Sequence, residues 1–284
     1  MPAKPQIAIV GPGRLGSTLS VALTKAGYRV NEVISRDTLN SQKRAREIAR
    51  STRSFSTTLK TANLDSDLIW FCVPDREIAV AARALIRSAK WKGKIAFHSS
   101  GALASDELNV LRRRGAALAS VHPMMTFVRG SIPSLKGVAF ALEGDAKAIR
   151  VARRVTRDLG GDAFPIPKTC KIAYHAWGGF SSPLLVAMLV TAEQVARAAG
   201  LSPTQARKIM LPIVKQTLAN YSALGPAGAF SGPIVRGDVP IVRKHLRTLQ
   251  KIPGAKEVYM ALSRAALEYL PARNRKELGK LLAR

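Results

Sequence analysis

A glycine-rich turn, Gly11-Pro12-Gly13-Arg14-Leu15-Gly16, follows directly on the apolar run QIAIV at 6–10 and opens a segment with Leu15, Leu19 and Leu23 on one helical face. No other feature constrains the fold as much, because each glycine meets a separate steric demand. In a dinucleotide-binding strand–turn–helix, Gly11 makes the tight turn. Gly13 lets the backbone approach a pyrophosphate, and Gly16 lets the helix pack closely on the sheet. The N–H groups at the start of that helix favour the anion. Gly11, Gly13, Arg14, Leu15 and Gly16 are therefore the expected cofactor-binding residues. A glycine turn without a ligand is the plainer alternative, and the strand–turn–helix context weighs against it.

The pattern after the turn repeats. A strand is expected near 29–34, a polar helix near 41–50, a strand at 68–73 (LIWFCV), a helix near 76–88 and a strand at 94–98 (KIAFH). Strands alternating with helices at this spacing imply right-handed crossovers and a parallel sheet. Further strand-like runs at 117–121 and 138–142, a helix at 145–159 and a short strand around 163–166 complete the series. After Pro167 the texture changes to helical periodicity, with helices expected near 169–178, 183–199, 203–222, 238–249, 255–270 and 273–283. The expected fold class is α/β: a Rossmann doubly wound parallel sheet over 1–165, followed by an all-α domain over 166–284.

The tip of the second strand selects the dinucleotide. NAD enzymes usually place a carboxylate there for the ribose hydroxyls. Here the strand ends Ile34-Ser35-Arg36, with Glu32 two residues too early. Ser35 and Arg36 suit a 2′-phosphate by hydrogen bond and guanidinium pairing, with Lys43 or Arg44 able to assist. The expected cofactor is NADP (NADPH), against the alternative that Arg36 is a solvated loop residue. Ligands bind beyond the carboxyl ends of parallel strands, so Val73-Pro74 and His98-Ser99-Ser100-Gly101 border the same crevice. Pro74 alternatively shapes a turn. Ser99 is expected on the cofactor, and Ser100 and Gly101 on a substrate; a helix-capping role for the serines is the competing reading.

Composition excludes several classes. A hydrophobic share of 47% with 22% charged residues is that of a globular chain. No uninterrupted run of 18 apolar residues occurs, so no membrane span and no membrane partner are expected. The N-terminus carries no signal-peptide pattern, which points to a cytoplasmic setting. Cys72 and Cys170 have neither metal-ligand nor disulfide-framework spacing, and Cys72 reads as a small core residue. No metal site is expected. The 45 Lys and Arg against 18 Asp and Glu give +27, which invites a nucleic-acid reading. The basic residues are scattered, however, and aromatics make up only 6%. A solvated basic surface, or attraction of anionic ligands, fits better than specific nucleic-acid recognition.

The glycine turn, VPD at 73–75, HSSGAL at 98–103, SVHPMMTF at 120–127, KIAYHAW at 171–177 and GAFSGPIVRGD at 228–238 occur in an order that resembles one family over essentially the whole chain. That family joins a Rossmann-like domain to a C-terminal helical domain of unknown function numbered 2520, within the 6-phosphogluconate dehydrogenase-like superfamily. Its more distant relatives include pyrroline-5-carboxylate reductase, 3-hydroxyisobutyrate dehydrogenase, prephenate dehydrogenase and imine reductases. The resemblance implies a hydride-transfer scaffold with NADP and a homodimer formed through the helical domain.

Lys171 and His175 stand four residues apart, on one face if 169–178 is helical. By resemblance Lys171 lies where hydroxyacid dehydrogenases of the superfamily carry their lysine, and Lys171, Tyr174 and His175 match the family's Lys and Tyr-His. Lys171 and His175 are the expected catalytic pair, although a lone Lys or His is more often structural. Relatives carry Ser-Asn where this chain has Ser182-Pro183. Proline inside a helix costs roughly 3 kcal/mol but is tolerated in the first turn. The helix is therefore expected to break, with Ser182 capping a new one. His122, which resembles the His-Pro of prephenate dehydrogenases, and Arg236, in a glycine-bounded loop, are expected on the substrate. Their alternatives are a turn histidine and an Arg236–Asp238 pair in which Asp238 caps the next helix.

These residues point to an NADP-dependent oxidoreductase acting on a small, anionic oxo/hydroxy or imino/amino substrate in the cleft between the domains. A non-catalytic NADP-binding sensor is the alternative from another class.

Overall fold

The computed structural model describes residues 3–283. Its chain divides into two compact units, Met1–Gly179 and Phe180–Arg284.

The first unit is built on a sheet of eight strands: β1 Ile7–Val10, β2 Val30–Ser35, β3 Phe55–Thr58, β4 Leu68–Phe71, β5 Ile95–His98, β6 Ala117–Pro123, β7 Ala139–Gly144 and β8 Asp162–Pro165, in the spatial order β3-β2-β1-β4-β5-β6-β7-β8. All pairs are parallel except β6–β7. The order reverses beside β1, so the crevice at the carboxyl ends of β1 and β4 is the topological switch point where such sheets take ligands.

Both faces of the central strands are covered, which is why they read as continuous apolar runs. Ile7 and Ile9 of β1 and Leu68 and Trp70 of β4 join one core with α1 (Arg14–Lys25), α2 (Leu39–Thr52) and α5 (Ala146–Asp158). Ala8, Val10, Ile69 and Phe71 join the opposite core with α3 (Asp75–Ala84) and α4 (Asn109–Arg112).

Two elements of this sheet unit, β3 and α4, have no counterpart in the sequence pattern. β3 reads FSTT, with Phe55 exposed on a sheet edge, so no burial imprints alternation on it. α4 is a single turn. The helix after Pro74 also ends at Ala84, earlier than its periodicity suggests.

α6 (Lys171–Ser181) follows the last strand, but its first two turns pack on the sheet: Tyr174 clusters with Ala141, Ile166, Met124 and Phe164. The break in the compact units therefore falls at Gly179, later than the change of texture at Pro167. α6 ends at Ser181 and α7 (Pro183–Ala198) begins with proline at its first position. Ser182 occupies the cap position without a side-chain capping bond, so the break is as expected but the expected serine cap is not made. By length and composition alone, 168–198 is apolar enough to cross a membrane. Polar residues such as Lys171, His175 and Ser182 interrupt it, which is why it contains no uninterrupted apolar run of 18 residues.

The second unit contains α7, α8 (Pro203–Ala229, kinked at Gly225), the single turn α9 (Pro233–Arg236), α10 (Val239–Leu249), α11 (Ala255–Tyr269) and α12 (Arg275–Leu282). Ile234, Val242, Leu246, Met260, Leu278 and Leu282 form its core. α8 starts on a capping box, Ser202 with Gln205.

Candidate cofactor and active site

Two polar regions lie along the carboxyl edge of the sheet in the first unit. One is a cavity of about 680 Å³ over the glycine turn, lined by Gly11, Pro12, Gly13, Ser35, Arg36, Thr38, Asn40, Ser41, Arg44, Val73, Pro74, Glu77 and neighbouring apolar residues. Gly11 in its floor and Gly16 behind it admit no side chain, whereas a Cβ on Gly13 would meet only the Cys72 carbonyl oxygen at 3.9 Å. A Cβ on Gly11 would lie 2.6 Å from the Cys72 carbonyl oxygen, at a φ of +105° that side chains rarely adopt, and one on Gly16 would collide with the Gly11 carbonyl. α1 opens at Gly13 with no side-chain cap and no acidic residue in its first turn. Its leading N–H groups and dipole therefore suit an anion.

The rim sorts the sequence expectations. Arg36 and Arg44 line the cavity, and Lys43 does not. Ser35 lines it too, but it is buried and its hydroxyl donates to the Thr57 carbonyl at 3.2 Å. β3 pairing takes the donor expected to serve a phosphate. Of the nearby carboxylates, Glu77 lines the cavity and pairs with Arg76 at 3.4 Å, while Glu32 and Asp37 are engaged elsewhere. Glu32, within β2, is buried and accepts from the Thr57 hydroxyl at 2.6 Å, its pKa raised by burial against that hydrogen bond. Asp37, which no sequence signal singles out, binds Lys60 at 2.7 Å and Gln42 at 2.9 Å, and Lys60 holds its carboxyl below the usual range. Arg14, Leu15, Gly16 and Ser99 do not line the cavity. Arg14 donates to the Phe127 carbonyl, Leu15 packs into the core, and Ser99 accepts from the Trp70 indole at 2.8 Å.

The second region lies two strands along, at the ends of β5 and β6. Lys171 is 1% exposed. Its ammonium nitrogen donates to the Ser120 hydroxyl at 2.7 Å and the Ser100 carbonyl at 3.2 Å, while Ser120 itself donates to that carbonyl at 3.0 Å. Burial lowers the Lys171 pKa, opposed by the charges of Glu143 and Asp75. Ser100 is engaged throughout: its N–H donates to His98 Nδ1 and its hydroxyl accepts from the N–H groups of Ala102 and Leu103. The Ser100 hydroxyl thus closes a turn over 100–103; it does not cap a helix, since the next helical turn has Ala104 at its cap position.

His98 is fully buried, between the Ser100 N–H and the Ala104 carbonyl. Burial, aided by the Lys171 charge, pushes its pKa down to about 4. His122 Nδ1 meets the Tyr174 hydroxyl at 2.8 Å, and burial with the charges of Lys171, His175 and His98 brings His122 down to about 4 as well. Burial lifts the Tyr174 hydroxyl to about 12. Gly101 separates His122 from His175: a Cβ there would be 2.9 Å from His122 Nε2 and 2.7 Å from His175 Cδ2.

Ser100, Gly101, His122, Lys171 and His175 thus come together as expected, but Lys171 lies behind the site and His175 is exposed. Ser120, His98 and the Tyr174 hydroxyl complete the cluster. Arg236 belongs to the second unit, exposed on α9 rather than in a loop, and makes no ion pair with Asp238. Asp238 caps α10 through the Ile241 N–H, as its alternative role requires. Among the described residues no group of side chains could hold a metal ion.

Residues 1–123 match a Rossmann-like domain and residues 138–266 a domain of unknown function (DUF2520). No curated protein matches the chain. Among solved structures, a Bacteroides fragilis protein provisionally named an NADP oxidoreductase is 23% identical over 92% of this chain and 97% of its own, with a TM-score of 0.77. A reductive aminase from Aspergillus terreus, solved with NADPH and ethyl-5-oxohexanoate, is 16% identical over 94% of both chains, with a TM-score of 0.67. An imine reductase from Myxococcus stipitatus, solved with NADP+, is 18% identical over 93% and 94%, with a TM-score of 0.66. At these identities the likeness is one of fold.

Proposed function

We propose that this chain, in which a Rossmann-like domain is joined to the DUF2520 domain, is an NADP-dependent oxidoreductase. Its substrate would be a small, anionic oxo/hydroxy or imino/amino compound. The observation that carries the reading is the cavity over Gly11 and Gly13, whose rim offers Arg36 and Arg44 while Glu32 and Asp37 are bound elsewhere and the lining Glu77 pairs with Arg76. Gly11 and Gly13, with the α1 N-terminus, would hold the pyrophosphate. Arg36 and Arg44 would hold the 2′-phosphate by charge-assisted hydrogen bonds. Val73 and Pro74 would border the path to the nicotinamide, which exchanges a hydride when bound. The fold neighbours solved with NADPH or NADP+ support the same cofactor.

The chemistry is assigned to the His122–Tyr174–Lys171–His175 cluster at the same sheet edge. Hydride addition to an oxo or imino carbon leaves charge on the heteroatom, and a site needs a fixed donor there. A screen of NADPH oxidation against 2-oxo acids, semialdehydes and cyclic imines tests the reading, with turnover of at least one class expected.

The burial of Lys171 favours a second reading, NADP binding without turnover. Tight NADPH binding with no oxidation across that panel would select it.

The chain is also proposed to form a homodimer through its helical unit. Leu184, Val186 and Val190 on α7 and Ile209, Ile213, Leu218 and Leu224 on α8 are all about half exposed or more, and apolar surface of that extent marks an interaction face. A bilayer is the weaker occupant, because 168–198 includes Lys171, which is fixed inside the sheet unit. Light scattering at twice the chain mass is the expected result.

A further inference from the structure

We infer that His122, held as the neutral tautomer with its proton on Nε2 by the Tyr174 hydroxyl, is the hydrogen-bond donor that meets the substrate's oxo or imino group, and that Lys171 is a positioning residue behind it. This rests on the oxidoreductase reading for its chemistry, and on geometry for its assignment of roles.

The tautomer follows from the fate of one hydrogen. Tyr174 is 6% exposed, and among the described residues its hydroxyl has one hydrogen-bond partner, His122 Nδ1 at 2.8 Å. If Nδ1 carried a proton and donated it, the phenolic hydrogen would lie buried with no acceptor, at a cost of about 1–3 kcal/mol. With the phenol donating, both groups are satisfied and the imidazole proton sits on Nε2. His98 is fixed in the same tautomer, because the Ser100 N–H can only donate into its Nδ1.

Nε2 of His122 is the open end of this chain of bonds. Among the described residues it has no protein partner, and it is not one of the buried polar atoms left unpaired there, which are Asn31 Oδ1 and Thr156 Oγ1. It is therefore reachable by solvent. The position it faces is Gly101, where any side chain would cover it.

Lys171 cannot reach a substrate, being 1% exposed with its nitrogen on Ser120 and Ser100. Those bonds join three elements: the turn carrying Gly101, the strand carrying His122 two residues beyond Ser120, and the helix carrying Tyr174 one turn beyond Lys171. Lys171 thereby fixes the spacing between the donor, its tautomer-setting hydroxyl and the bare glycine. The groups facing His122 are Tyr174, Lys171 and His175 from α6 and His98 from β5.

A neutral imidazole donor suits this role, because it polarises the carbonyl and holds the developing oxyanion by a fixed hydrogen bond while keeping its own proton. For an oxo substrate, the carbon receives the hydride and its π pair moves to oxygen. The oxygen is held on His122 Nε2–H, and water supplies the proton that completes the hydroxyl.

Long-range ¹H–¹⁵N spectra of the histidine-labelled full chain, free and with NADP+, test this without turnover. The His122 signals are assigned by their loss in His122→Ala. Nε2 protonated and Nδ1 bare across the neutral range is expected; imidazolium or a proton on Nδ1 overturns the proposal. Tyr174→Phe is expected to mix the tautomers; Lys171→Met is expected to move the His122 titration upward by removing a neighbouring charge and also to mix the tautomers, which loss of a lysine that acted only as a charge would not do. In NADPH oxidation with the best compound of the screen, His122→Ala should lower kcat by about 100-fold, as for loss of one oxyanion donor. An undiminished kcat contradicts the role. Failure of NADPH to bind would remove the functional reading and leave the tautomer result standing, so the two failures are separable.

Discussion

The two polar regions on one sheet edge are built in opposite ways. The nucleotide cavity is made by absence: glycines without side chains, helix N–H groups without a cap, and arginines on an open rim. The histidine–lysine cluster is made by engagement, with nearly every polar atom of Lys171, Ser100, Ser120 and His98 bonded inside the protein. The first can receive a multiply charged anion because little there is already paired. The second can hold one atom, His122 Nε2, in a fixed direction because everything behind it is paired.

Filling the empty region should have the largest effect. Gly11→Val places carbon against the Cys72 carbonyl at a φ of +105°. A loss of NADPH affinity beyond about 100-fold and a stability cost on the order of 3 kcal/mol are expected, read by titration and denaturant unfolding. Retained affinity would mean that the turn is not the cofactor cradle.

Charging the engaged region should come next. His98 and His122 titrate near 4 in the folded protein, against an ordinary value of 6.5. Between those values the unfolded chain binds more protons, so stability falls as pH drops from 6.5 towards 4. At about 1.4 kcal/mol per unit, the loss approaches roughly 3 kcal/mol for His98 and less for His122, which is open on one side. Denaturant midpoints across that range, compared between the native chain and His98→Asn/His122→Asn, should show the slope flattened in the variant. An unchanged slope would mean that these imidazoles are not held neutral by burial.

The smallest effect sharpens the boundary between the regions. Ser35→Ala removes a hydroxyl that lines the cavity but donates to Thr57. Stability should fall by about 1 kcal/mol, and NADPH affinity should change by less than about twofold. A larger loss of affinity would return Ser35 to the phosphate site.

The difference in construction also decides what is legible in the sequence. A cradle made of local steric exceptions leaves its signature in six consecutive residues, which place Gly11 and Gly13, and the apolar run of the second strand places Arg36 at its tip. The cluster depends on partners 51 and 71 residues apart, Ser120 and Ser100 about Lys171, and no local pattern encodes that. Lys171, Tyr174 and His175 are visible as a spacing and by resemblance. That Lys171 is buried, and that Tyr174 faces His122, depends on α6 packing against the sheet unit. Ser35 escapes its expected role for a related reason: its hydroxyl answers to β3, an exposed polar edge strand without alternation.

Whether the cavity over the glycine turn is an NADP site is tested most directly by fluorescence titration with NADPH and NADH at fixed salt. Micromolar or tighter NADPH binding, much weaker NADH binding, and loss of that preference in Arg36→Ala are the predicted result. Equal affinity for the two nucleotides in the native chain, or no binding of either, would contradict it.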